Sequence, residues 1–182
     1  MGGYLFTLNP ETKAVDPLLS DYLGMTARMA PDGERFLVGG ADGGGMTFAV
    51  ATKKLPNPSL LSPATLPEKC AWTASSTFAY CGVPQSPPRG DYPDTWYQGK
   101  VQFSDTLWEL NAVTGQFTLF AIPQNEAGVT LDVEQPIAST DNHYFVFINK
   151  IDGSLWGYEF VSTLPLLPST PAEPLSATST HQ

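Results

Sequence analysis

The chain has 182 residues, 42% of them hydrophobic, a length and composition that suit one domain with a sizeable apolar core. Nine Lys and Arg against eighteen Asp and Glu give a formal net charge of -9, which repels phosphate backbones, so no nucleic-acid partner is expected. No apolar run is long enough to cross a membrane and no signal peptide is visible at the first residues, so direct membrane insertion is not expected either.

In chain order, the first predicted element is a strand, a polar turn and a second strand, "LFTLNPETKAV" from Leu5. A different unit follows, "ARMAPDGERFLVGG" from Ala27, in which the Pro-Asp-Gly at 31–33 favours a tight turn between two strands. Another strand, "TFAVATKK", begins at Thr47. Seventeen prolines and sixteen glycines are typical of many short strands joined by tight turns, with little helix.

The second half of the chain repeats both units. "CAWTASSTFAYCGV" from Cys70 and "QPIASTDNHYFVFI" from Gln135 match the unit at Ala27. "LWELNAVTGQFTLF" from Leu107 and "LWGYEF" from Leu155 match the first unit. The order is strand A, turn, strand B, loop, strand C, turn, strand D, at periods of about 40 to 60 residues, which is typical of stacked blades.

An aromatic residue recurs in strand C, the third strand of each predicted repeat. The aligned positions are Phe6, Phe48, Trp108 and Trp156. Because an isolated blade cannot cover its own apolar faces, we predict that the four occupy equivalent places on third strands and are largely buried between neighbouring sheets.

The segments "APDGERFLV" and "LWELNAVTG" resemble the repeats of WD40-like and TolB-type β-propellers, and the resemblance extends over residues 4–160. It implies an all-β fold whose blades are four-stranded antiparallel sheets. It implies no catalytic residues, because propellers serve binding, scaffolding and several chemistries. The Pro-Asp-Gly turn is present in the unit at Ala27 and replaced in the later units.

The predicted strands amount to about three and a quarter blades, two of them complete, whereas closed propellers have about four to eight. The chain is then part of a larger propeller, or closes its first strands onto its last blade, or associates with a second copy through open edges. We favour the first, because the chain starts in the middle of a blade. After the propeller region, 1–160, a Pro-, Ser- and Thr-rich stretch at 161–182 predicts a flexible tail, or alternatively a glycosylated stalk.

Two cysteines, Cys70 and Cys81, lie opposite each other if the turn is centred on Ser75 and Ser76. Cross-strand neighbours are close enough for a disulfide, which we predict here, and which would indicate an extracytoplasmic or cell-surface protein. The alternative is a pair of reduced, buried thiols. With only two histidines in the chain, no metal site is expected, and no cofactor is predicted.

A long loop at 84–105 stands where the last blade has a short turn. Loops on a rigid scaffold often carry recognition residues, and aromatic side chains supply large contact areas. The candidate ligand-binding residues are Arg89, Asp91, Tyr92, Asp94, Trp96 and Tyr97. The alternative is that the loop folds back and fills the gap between blades, with Trp96 attaching it to a sheet.

These features favour a non-enzymatic binding or scaffold domain that recognises a protein or a glycan through the long B–C and D–A loops at one end of the blades. The alternative is the propeller portion of a hydrolase, of glycosidase or peptidase type, whose catalytic residues lie outside this chain. A carboxylate pair for glycoside chemistry is possible among Asp91, Asp94, Asp105 and Asp132.

Overall fold

The computed structural model describes residues 2–54, 58 and 60–160, and the predicted tail lies outside the described residues. Its strands are β1 (Gly2–Leu8), β2 (Val15–Leu23), β3 (Thr26–Met29), β4 (Arg35–Asp42), β5 (Gly45–Thr52), β6 (Cys70–Trp72), β7 (Phe78–Pro84), β8 (Asp105–Asn111), β9 (Gln116–Ala121), β10 (Val133–Ala138), β11 (Tyr144–Asn149) and β12 (Leu155–Glu159). Helices α1 (Asp94–Tyr97) and α2 (Pro123–Ala127) and a 3₁₀ turn (Pro67–Lys69) are short. Within this described part, no helix has the length and apolar character needed to span a membrane.

The strands form four antiparallel sheets in the order of the sequence: β1-β2, β3-β4-β5, β6-β7-β8-β9 and β10-β11-β12. Sheets built from consecutive strands are the blades of a propeller, so the predicted all-β propeller architecture is confirmed. The fourth strand that completes the second blade in the prediction falls partly outside the described residues. Over its described residues, the fourth-strand position is marked by a single bridge between Ala49 and Leu60.

Apolar clusters fill the three spaces between successive sheets. Leu19 and Phe36 belong to the cluster between the first and second sheets. Leu37 and Leu110 belong to the next cluster, and Tyr80 and Phe145 to the last. Because side chains alternate between the two faces of a strand, each inner sheet contributes to the clusters on both of its sides.

Trp108 and Trp156 occupy equivalent places, as predicted. Each is partly buried against the sheet that precedes its own. Each indole Nε1 donates a hydrogen bond of 2.7 Å to the hydroxyl two residues earlier, Thr106 Oγ1 and Ser154 Oγ respectively. The same conformation therefore recurs in the third and fourth blades.

Phe48 is buried, at 1% exposure, but it is not equivalent to these tryptophans. Its side chain points from the second sheet toward the third, the sheet that follows in the chain, and its ring lies 6.2 Å from that of Phe117 in the third sheet. Trp108 enters the same cluster from the other side, because its side chain points from the third sheet toward the second. A shift of one residue in aligning β5 transfers every side chain to the opposite face, so the prediction of equivalence is wrong for Phe48.

Phe6 is 54% exposed, which corrects the prediction that it is buried. It lies on the face of β1 turned away from the second sheet, while its neighbour Leu5 packs into the first cluster. Phe6 therefore occupies the same position as Trp108 and Trp156, whose side chains point toward the preceding sheet, but the described residues form no sheet before the first that could cover Phe6.

The predicted disulfide is confirmed. Cys70 and Cys81 are directly opposite in the pairing of β6 with β7 and are joined through their sulfurs. Both are fully buried in the cluster between the second and third sheets, so the bond ties two strands of the complete blade at its core.

Candidate functional site

The long loop between β7 and β8 lies across one end of the sheets. The backbone N–H of Gly90 donates to the carbonyl of Gly44 at 3.0 Å, and Arg89 Nη1 donates to the carbonyl of Gly43 at 3.3 Å. At Gly24, which has a φ of 59°, a Cβ would lie 2.1 Å from the carbonyl oxygen of Tyr92, so only glycine fits. These contacts bring the loop against the β4–β5 turn and the β2–β3 connection.

Tyr92 and Trp96 attach this loop to the scaffold. Their exposed fractions are 2% and 1%, and both pack in a cluster with Leu66 and Phe103. Each of the two still lines a cleft, so the prediction that they bind a ligand stays a prediction, but almost all of both side chains is covered by the chain itself. Large aromatic surfaces gain more from burial against the sheet ends than from exposure, so the structural alternative applies to both.

A fully buried ion cluster lies beneath the loop. Lys69 Nζ is 2.5 Å from Asp132 Oδ1, 2.8 Å from Asp105 Oδ2 and 3.0 Å from the carbonyl oxygen of Val133. The same ammonium lies 4.9 Å from the centroid of the Trp96 ring, within cation–π range. One cation and two carboxylates without exposed surface join the 3₁₀ turn, β8, β10 and the long loop.

The two carboxylates differ in how well they are compensated. Asp132 accepts hydrogen bonds from Trp96 Nε1, at 2.9 Å to Oδ1 and 3.1 Å to Oδ2, and from the backbone N–H of Phe103. Asp105 Oδ2 accepts one from the backbone N–H of Val133, but its buried Oδ1 has no hydrogen-bond partner. Burial raises the pKa of Asp105 to about 6, although Lys69 acts in the opposite direction.

We expect the free energy of unfolding to increase as the pH falls from about 7 to about 4.5. A pKa raised above the unfolded value of about 3.9 contributes stability that is fully present below 3.9 and is lost as the pH rises through about 6. The expected change is on the order of 1 to 3 kcal/mol, measured by urea denaturation across this range.

The control for this pH dependence is Asp105→Asn, which should flatten the curve. Below about pH 4 the lowered pKa values of Asp32, Asp141 and Asp152 act the other way, since their stabilisation is lost on protonation. A stability that falls steadily from pH 7 to 4.5 would contradict the assignment to Asp105.

The cluster also bears on the predicted carboxylate pair. Asp105 and Asp132 do come together around Lys69, but both are inaccessible to solvent, and glycoside hydrolysis needs a sugar and a water between its two acids. Asp91 and Asp94 are exposed on the loop. Among residues 2–54, 58 and 60–160, no group of three or more His, Cys, Asp or Glu could hold a metal ion.

A cleft of about 510 Å³ opens between the innermost strands β3 and β10, the 3₁₀ turn and α1. Arg28 Nη2 donates to the carbonyl of Pro136 at 3.2 Å, and burial lowers the pKa of this guanidinium. Tyr97 donates its hydroxyl proton to Glu68 Oε1 at 2.6 Å. Burial raises the pKa of Tyr97, and the hydrogen bond to Glu68 with its negative charge raises it further, so the Tyr97 hydroxyl stays neutral and can donate. We call this the axial cleft.

A second cleft, of about 630 Å³, lies on the other side of α1, between the long loop, the β4–β5 turn and the first sheet. The described residues of its lining include Asp42, Asp91, Asp94 and several glycines, with no lysine or arginine among them. Tyr97 lines this cleft and the axial cleft alike, with 48% of its surface exposed. We call it the acidic cleft.

Of the six predicted ligand-binding residues, four are therefore exposed at this end of the molecule. Arg89, Asp91, Asp94 and Tyr97 are accessible on the loop. Sequence reasoning missed the charged residues of the innermost strands and the 3₁₀ turn, namely Arg28, Glu68, Lys69 and Glu134. A usable signal existed, since first strands line the axis of a propeller and a charged residue there faces the axis or a buried partner.

Solved structures with the same arrangement of sheets exist. TolB from Acinetobacter baumannii is 10% identical, with a TM-score of 0.57 over 87% of this chain and 35% of its own. A putative TolB from Agrobacterium tumefaciens is 13% identical, with a TM-score of 0.55 over 86% of this chain and 51% of its own. An uncharacterized protein from Listeria monocytogenes EGD-e is 12% identical, with a TM-score of 0.52 over 87% of this chain and 44% of its own.

The fold is that of a partial TolB-type propeller. At these identities the likeness concerns the fold alone, and the chain spans between about a third and about half of the length of these structures. No protein-family model matches the chain, and no curated protein matches it significantly.

Proposed function

We propose that this chain is a non-enzymatic binding or scaffold module that recognises a protein partner through its long-loop end. The observation that carries the proposal is the position of Tyr97, an exposed aromatic between two clefts on a loop that Trp96 holds rigidly. A rigid aromatic at the centre of a concave surface is typical of an interaction hot spot.

The charges of this end favour a basic segment of the partner. Asp42, Asp91 and Asp94 line the acidic cleft, and the whole chain has a formal charge of -9. Complementary charge speeds encounter and selects among partners. A glycan, the other ligand class expected from the sequence, would bind through aromatic stacking and hydroxyl contacts with little dependence on its charge.

The proposed setting is extracytoplasmic, because a disulfide in a protein core persists where the surroundings are oxidising. Alkylation of the natively expressed protein in denaturant but without prior reduction, followed by mass analysis, tests this, because both cysteines are buried in the folded chain. Two labelled thiols in the native sample would contradict the proposal.

The rival function, the propeller portion of a hydrolase, draws no support from the described residues. Of the carboxylates predicted from the sequence, Asp105 and Asp132 share one cation and are enclosed around Lys69. A buried pair of this kind stabilises a scaffold and has no access to substrate.

The test of the binding proposal is a peptide array of basic, neutral and acidic 12-residue sequences, probed with the wild type and with Asp91→Asn/Asp94→Asn. We expect basic peptides to bind preferentially and to lose about tenfold in affinity with the double variant, because each exposed charge contributes modestly. Tyr97→Ala should weaken all bound peptides.

The matched control is Glu11→Gln, which removes one exposed acidic charge in the β1–β2 turn. It should leave peptide affinity unchanged. Equal binding of acidic and basic peptides, or equal losses in the control and the double variant, would contradict the basic-partner proposal. Binding on a parallel glycan array but not on peptides would replace the protein partner with a glycan.

A further inference from the structure

The ion cluster beneath the long loop lacks a donor for one of its carboxylate oxygens. The Lys69 ammonium has three protons, and it has three acceptors within reach. Two of them are Asp132 Oδ1, at 2.5 Å, and Asp105 Oδ2, at 2.8 Å. The third is the carbonyl oxygen of Val133, at 3.0 Å. No proton of the ammonium is left for Asp105 Oδ1, which is buried and accepts no hydrogen bond from the described part of the chain.

The charges around the cluster do not supply this donor. Lys150, in the β11–β12 turn, has its Nζ 4.7 Å from the centroid of the Trp96 ring, but it is paired with Glu134 Oε1 of β10 at 2.8 Å. The cluster contains one ammonium and two carboxylates, and the neighbouring pair contains one of each. An excess negative charge therefore remains when every group is ionised, and a proton on Asp105 removes it.

The long loop covers this cluster. The rings of Trp96 and Phe103, both on the loop, lie 4.9 Å and 5.0 Å from Lys69 Nζ. Trp96 Nε1 and the backbone N–H of Phe103 both donate to Asp132. Withdrawal of the loop takes away both rings and admits water to the carboxylates. Water supplies the donors that Asp105 lacks, so an ionised Asp105 favours the open loop more than a protonated one does.

We propose that the long loop is a pH-sensitive cover, which protonation of Asp105 holds closed and ionisation of Asp105 loosens. A proton that binds more tightly in the closed form than in the open form stabilises the closed form as the pH falls. Burial raises the pKa of Asp105 to about 6 while the loop is closed, and in the hydrated open form the ordinary value of about 3.9 applies. The equilibrium constant for opening should therefore fall about tenfold from about pH 7.5 to about pH 5.

This device concerns the surface assigned to recognition, because Asp91, Asp94 and Tyr97 lie on the same loop. Its relevance to a partner rests on the proposed function, but the opening itself does not. An experiment without any partner can therefore measure it, and its outcome is independent of whether peptides bind.

Hydrogen exchange followed by NMR on the full chain tests the proposal. Opening constants are obtained at several pH values from about 7.5 to about 5, after correction for the chemical exchange rate at each pH. The Gly90 N–H donates to the carbonyl of Gly44 and joins the loop to the β4–β5 turn, so its opening constant should fall about tenfold. The reference is the Gly115 N–H, which donates to the carbonyl of Asn111 at the other end of β8. Its opening constant should change by less than about twofold.

Two variants assign the effect to Asp105. Asp105→Asn should remove the pH dependence of loop opening and keep the loop as closed at pH 7.5 as the wild type is at pH 5. Asp91→Asn, which removes an exposed acid of the same loop, should keep the wild-type dependence. The comparison of loop and turn amides in the wild type decides even if Asp105→Asn folds poorly.

Three results would overturn the proposal. The first is a loop opening constant that stays level or rises as the pH falls. The second is an equal fall at Gly115, which would show a change in global stability in place of a local cover. The third is an undiminished pH dependence in a folded Asp105→Asn variant.

Discussion

Replacing Lys69 with Met should lower the free energy of unfolding by about 3 to 5 kcal/mol at pH 7, the largest effect expected of a single substitution outside the apolar clusters. The change keeps an unbranched side chain that is one heavy atom shorter, but it leaves Asp105 and Asp132 as buried carboxylates with no cation between them. Urea denaturation at pH 7 measures the loss. The loss should shrink near pH 4.5, as Asp105 takes up a proton.

Asp105→Asn is the matched control, and it should cost less than about 1 kcal/mol at pH 7. It removes the excess negative charge of the cluster and leaves Lys69 paired with Asp132, while the asparagine oxygen can still accept from the Val133 N–H. If Asp105→Asn destabilised the protein as much as Lys69→Met, the conclusion that Asp105 gives the buried cluster an excess negative charge would be wrong.

Trp96→Ala should also cost about 3 to 5 kcal/mol, in the range of buried aromatic truncations. It empties the centre of the cluster that holds the long loop and removes the two indole hydrogen bonds to Asp132. We expect a lower melting temperature, together with faster proteolysis in the loop between β7 and β8. Thermal melting and limited proteolysis measure these effects.

Tyr97→Ala, at the next position, provides the comparison. Its side chain is 48% exposed and its only hydrogen-bond partner among the described residues is Glu68, so stability should change by less than about 1 kcal/mol. Peptide binding should nevertheless weaken. If Tyr97→Ala destabilised the protein as much as Trp96→Ala, both aromatic residues would anchor the loop, and the recognition role proposed for Tyr97 would be contradicted.

The sequence by itself determined the strands, the turns between them and the disulfide. Each of these depends on residues close in the chain: alternating apolar side chains, tight-turn residues such as Gly33, and the turn register that sets Cys70 opposite Cys81. The aromatic repeat identified the equivalence of Trp108 and Trp156 for the same reason, since both follow a similar hairpin.

The tertiary structure alone decided which side chains are accessible. Phe48 and Phe6 carry the same type of side chain in similar strands, yet one is buried and the other exposed, because the outcome depends on strand register and on whether another sheet lies against that face. Trp96 and Tyr97 are adjacent, but α1 turns one toward Asp132 and the other toward solvent. The partners of Lys69 are 36 and 63 residues away, and such long-range pairings leave no local pattern from which they could be predicted.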